Sequence, residues 1–131
     1  MKALAIGLAA AALGGCAGML DPGNTPKAVL DPAASQWEGW VRFSEEEFQL
    51  YPREVQVLRP FSRPCLSGAL PLNLQRQAVR DLGGQKVRVT GRTTPWTGRE
   101  AGNRIDHAGS DITNVCGGQA VILAESMVAI P

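Results

Sequence analysis

The chain predicts a small, mainly β domain of five strands with one helix between the third and fourth. Three observations carry that expectation. Residues 36–43 and 85–92 alternate apolar and polar side chains with period two, the pattern of half-buried strands. Between them, residues 74–82 repeat their apolar positions at helical spacing. The 131 residues include 15 Gly and 9 Pro, which break the chain into short elements. That length allows one domain, and a formal charge of +1 argues against a partner bound mainly by phosphate neutralisation.

The first element is a leader. Met1-Lys2 supplies a positive start, and residues 3–13 are an unbroken run of Ala, Leu, Ile and Gly, too short to span a bilayer but of signal-peptide length. Leu13-Gly14-Gly15-Cys16 then resembles the lipobox of bacterial lipoproteins, in which a peptidase cuts before a diacylated cysteine. The resemblance implies a signal peptide over 1–15 and lipidation of Cys16, with two or three acyl chains holding the protein stably at the membrane. Ordinary secretion, with cleavage near Ala10-Ala11-Ala12, is the alternative. Ala17 stands where enteric inner-membrane lipoproteins usually carry Asp, which implies the periplasmic face of the outer membrane. Removing Lys2 lowers the basic residues from 13 to 12, equal to the 12 acidic ones, so lipid rather than charge holds the mature chain.

Residues 16–35 read as a lipidated flexible tether, rich in Gly and in Asp-Pro and Thr-Pro steps. Fully extended, it reaches roughly 60 Å at about 3.3 Å per residue. The folded domain is expected over 36–131. Its first strand places Trp37, Gly39, Val41 and Phe43 on one side and Glu38, Trp40 and Arg42 on the other. A polar turn, Ser44-Glu45-Glu46-Glu47, leads to a second strand from Phe48, which Pro52 interrupts and residues 54–58 are expected to resume. Residues 65–70 read as a short third strand. In the helix, Leu74, Ala78, Val79 and Leu82 are expected inward and Gln75, Arg76, Gln77 and Arg80 outward, with Gly83-Gly84 as its stop. Val87 and Val89 point inward from the fourth strand. Residues 120–130 form the fifth, long enough that Glu125-Ser126 should mark a bulge.

Export makes Cys65 and Cys116 a disulfide, because an even pair in a small exported domain is usually bridged. Free thiols or a metal site are the alternatives, though the pair lacks close cysteine spacing and only His107 could add a nitrogen ligand.

This element order, with the fourth strand Gly-Gln-Lys-Val-Arg-Val-Thr-Gly-Arg, resembles the OB-fold, a five-stranded Greek-key barrel. The resemblance covers roughly residues 37–130. It implies ligand binding across strands two and three, between the loops joining strands one to two and four to five. The latter loop, 93–119, is unusually long and holds Trp96, Arg99, Arg104, Asp106, His107 and Asp111. Asp106, His107 and Asp111 are the candidate metal ligands and, with Ser110, the only hint of an enzyme. No spacing defines a full ligand set and no nucleophile motif accompanies them, so a solvated loop is expected, with no metal and no cofactor.

The outward row Lys86, Arg88 and Arg92, with Arg42, Trp40 and Tyr51, has the makings of a polyanion site. The neutral mature charge and Glu38 argue against nucleic acid. The expectation is the wet face of a barrel, with Trp40 packed under a loop. The candidate binding residues are therefore Trp40, Tyr51, Arg88, Arg92, Trp96 and Arg99. The expected function is a membrane-tethered, non-enzymatic binding or scaffolding module that docks an envelope protein or glycan. A metal-binding or enzymatic periplasmic protein using the 93–119 loop is one alternative, and a structural subunit of an envelope assembly is another.

Overall fold

The alternation at 36–43 becomes β1 (Gln36–Ser44), whose buried side carries Trp37, Gly39 and Val41. This computed structural model describes residues 30–59, 61–98 and 101–131; the leader, Cys16, most of the tether and Arg99 lie outside the described residues. After β1 come β2 (Glu47–Tyr51), β3 (Leu66–Ala69), helix α1 (Leu72–Asp81), β4 (Lys86–Pro95), β5 (Ile105–His107), β6 (Ser110–Ile112) and β7 (Ala120–Ala129). β1, β2, β3, β7 and β4 form a closed barrel in that order, with β1 and β4 completing the ring and β5 and β6 making a separate hairpin. Adjacent barrel strands are antiparallel except β3 and β7, which run parallel. The five-stranded barrel with its single helix between the third and fourth barrel strands is OB-like.

Trp37, Phe48, Leu50, Val87, Val89 and Ile122 fill the barrel, each all but fully buried. Each such side chain contributes on the order of 1.5–3 kcal/mol of apolar burial. The parallel pairing needs Gly68: a Cβ there would sit 2.7 Å from Ile122 and 2.8 Å from Phe48. The bulge expected in the last strand is present. Thr90 pairs with Ser126 and Gly91 with Ala124, which leaves Glu125 without a partner on β4.

Two elements differ from the sequence reading. Residues 54–58 do not resume the second strand; Glu54–Leu58 is a 3-10 turn. Pro52 ends the ladder, and the amide of Gln56 then organises the turn, accepting the Arg53 N–H at 3.0 Å and donating to the Pro64 carbonyl at 3.2 Å. Val55 and Leu58 are consequently exposed. In α1, Ala78 and Leu82 pack inward and Arg76, Gln77 and Arg80 face out as expected, but Gln75 is buried and Leu74 and Val79 are exposed. The helix closes one end of the barrel with a narrow face centred on Gln75 and Ala78. Gln75 Oε1 accepts the Leu70 N–H at 3.0 Å, so its amide stands in for the ladder partner that β3 loses where it ends. The glycine stop holds, with Gly84 in the left-handed region at φ 79°.

Candidate functional site

The long connection between β4 and β7 folds back onto the outside of the barrel. Ile112, from β6, joins Ala69, Val121 and Leu123 in a second apolar cluster, with Trp96 and Ile105 packed against it. Trp96 is thus a packing residue, its backbone N–H donating to Gln119 O at 2.9 Å. Two side chains peg the hairpin down. His107 Nε2 donates to Ala124 O at 2.8 Å, and Ser110 Oγ to Leu70 O at 2.7 Å.

Beyond the hairpin, the loop is gripped by the acidic turn between β1 and β2. Glu47, 2% exposed, accepts on Oε1 from Thr113 N at 2.6 Å, Thr113 Oγ1 at 2.9 Å and Asn114 N at 3.2 Å. Its Oε2 accepts from Val115 N at 2.9 Å and Gln49 Nε2 at 3.1 Å. Glu46 accepts the Asp111 N–H at 3.0 Å, and Ser67 Oγ accepts the Cys116 N–H at 2.9 Å. The Cys65–Cys116 disulfide completes the seam, with Cα atoms 5.5 Å apart. Tyr51 packs against the bridge in a third buried cluster with Val57 alongside.

This arrangement alters where a ligand can sit. An OB-fold offers the outer face of strands two and three, but here Glu47, Gln49, Ser67 and Cys65 on that face are buried. The protein's own loop occupies it. The wall left open is β1 and β4, where the register sets Lys86 and Tyr51 on either side of Trp40 and pairs Glu38 with Arg88. Lys86 Nζ lies 5.3 Å from the Trp40 ring centroid, a cation–π distance. Trp40 is half-buried, with Lys86 over its ring. Arg88 pairs with Glu38 at 2.9 Å, neutralising one cation of the row. Arg92 is exposed and Arg42 half-buried, and neither has an ion-pair partner among the described residues. Tyr51 shares the outer face with its cross-strand partner Trp40 but is 2% exposed, packed against the disulfide. Burial pushes its hydroxyl pKa up, against the pull of the nearby Arg42 and Arg63 charges.

The hairpin register separates the residues considered for a metal. Asp106 pairs with Asp111 and His107 with Ser110, so the carboxylates share one hairpin face and the imidazole the other. Asp111 is held by Arg104 at 3.1 Å. Among the described residues no group of three His, Cys, Asp or Glu side chains is placed to hold a metal ion. The wall cations were legible in the sequence; the clamp at Glu47 was not, because its donors lie about 66 residues away and carry no local pattern. No family model, curated protein or solved structure matches the chain.

Proposed function

We propose that this protein is a lipid-anchored envelope module, non-enzymatic, that binds an anionic group of a neighbouring envelope protein or glycan through the β1–β4 wall. One observation carries the reading. The loop covers the outside of β2, β3 and part of β7, and the wall it leaves open holds Trp40 between Lys86 on β4 and Arg42 two residues along β1, Arg42 having no ion-pair partner among the described residues. An aromatic platform among cations suits carboxylate-bearing partners, where stacking and charge act together. Anchoring at Cys16 and residence at the periplasmic face of the outer membrane belong to the same reading, supported by the leader, Ala17 and the disulfide, which fits an oxidising compartment.

The test is cross-linking in intact cells followed by purification of the full-length protein, with Cys16→Ser as the anchoring control. A stoichiometric partner, lost in a Trp40→Ala, Arg42→Glu double variant that keeps its thermal stability, is the expected result. An abundant monomer with nothing attached would sink the proposal. A structural-subunit role has one observation in its favour, the apolar side chains Leu58 and Phe61, 80% and 79% exposed. It predicts a partner whose capture survives the double variant and is lost in Leu58→Ser, Phe61→Ser.

A further inference from the structure

The barrel is closed as a ring, yet one stretch of strand edge inside it is open. β7 pairs with β4 from Ala120 to Ala129 apart from the bulge at Glu125, but with β3 only at Ile122 and Leu123. Past that point β3 has ended, and a groove separates β7 from α1. His107 satisfies Ala124 O. From Glu125 to Ala129 no neighbouring strand is paired on that side among the described residues.

The backbone direction there follows from the register. Ile130 N donates to Lys86 O at 3.0 Å, so Ile130 faces β4. Antiparallel strands alternate, so Val128 also faces β4, opposite Arg88, while the N–H and C=O groups of Met127 and Ala129 point away from it. Beside this edge, at Ser126 and Met127, lies the groove between β7 and α1, of about 290 Å³ and lined chiefly by Leu70, Leu74, Ala78, Leu82 and Met127. Leu74, 41% exposed, stands at its rim. An unpaired edge beside an apolar groove is what strand addition requires: the edge supplies alternating donors and acceptors, and the groove receives side chains.

We infer that β7 accepts an extended segment of a partner protein at Glu125–Ala129, with an apolar side chain of the segment in the groove and a basic residue beside it. Only another extended backbone matches donors and acceptors that alternate along a strand. The charge follows from the acidic residues present: Asp81 lines the groove and Glu125 stands at the start of the open edge, whereas Arg76 and Arg80 of α1 are not among its lining residues. A second copy of this chain would bring its own Asp81 and Glu125 to the same place, so like charges disfavour self-pairing. This surface is separate from the Trp40 wall and stands or falls independently of it.

The test uses the full chain with Cys16→Ser and a capped Lys-Leu-Val-Leu-Lys peptide, followed by amide exchange resolved at single residues. In the free protein the Met127 and Ala129 amides exchange quickly and Val128 slowly. Peptide slows the first two, and the same peptide methylated on its backbone nitrogens does not. Leu74→Lys, an exposed change, weakens binding by at least about tenfold, Ala129→Pro does the same by deleting a donor, and Trp40→Ala has no effect. Equal protection by the methylated peptide would reduce the effect to apolar adsorption and overturn the inference. So would no protection at about 1 mM peptide, or a concentration-dependent dimer protecting the same amides.

Discussion

A carboxylate taken out of water costs several kcal/mol unless hydrogen bonds replace its hydration. Glu47 meets that condition with donors from Thr113, Asn114, Val115 and Gln49, most of them backbone N–H groups that would otherwise be orphaned in the loop. Glu47→Gln presents an amide NH2 to donors that need acceptors. It should lower stability by roughly 3 kcal/mol, read from urea denaturation, a loss of more than one charge-assisted bond. Tyr51, the only tyrosine, gives a second prediction at this scale. Burial raises its pKa, so the folded state favours the neutral hydroxyl. Its contribution is therefore fully present below the unfolded value of about 10 and is lost as pH rises through the higher folded value. Ultraviolet titration of tyrosinate should show ionisation later in the folded protein than in urea. Tyr51→Phe should flatten the alkaline fall in stability.

At the scale of elements, what could be read in the chain was whatever periodicity alone determines. Val87 and Val89 alternate into the core as expected, and so do Trp37 and Val41. The bulge at Glu125 followed from the length of an apolar run that one straight strand cannot use. The structure departs from periodicity where tertiary context overrides the pattern. Gln56 and Gln75 look like surface residues, yet each is buried because its amide serves backbone groups that a ladder has abandoned. The hairpin of β5 and β6 is three residues per strand, too short for alternation to signal it. A pair of substitutions in α1 separates the two descriptions. Val79→Ala, in the stripe the sequence favours, should change stability by no more than about 0.5 kcal/mol, since Val79 is exposed. Gln75→Ala leaves the Leu70 N–H without an acceptor and should cost roughly 1–3 kcal/mol in the same urea titration.

For the whole molecule, the decisive feature is that one loop is fastened to the outside of the barrel three times over. The apolar cluster around Ile112 holds its hairpin, Glu47 holds residues 113–115, and the disulfide holds Cys116 to the start of β3. These fastenings differ in what they resist. Packing and hydrogen bonds stabilise the folded state, whereas a bridge spanning 51 positions acts chiefly by restricting the unfolded chain. The chain-entropy model assigns that bridge about 4 kcal/mol, a large fraction of the stability a domain of this size has. Reduction, or Cys65→Ser, should therefore lower the melting temperature by roughly 15–30 °C. It should do so without releasing the loop at low temperature, because the Glu47 hydrogen bonds and the Ile112 cluster remain. Melting curves with and without reductant measure the first effect, and amide exchange at Thr113, Asn114 and Val115 measures the second. An unchanged melting temperature would show that the bridge is incidental to stability. Rapid exchange of those amides in the reduced protein would show instead that the disulfide alone keeps the β2–β3 face covered.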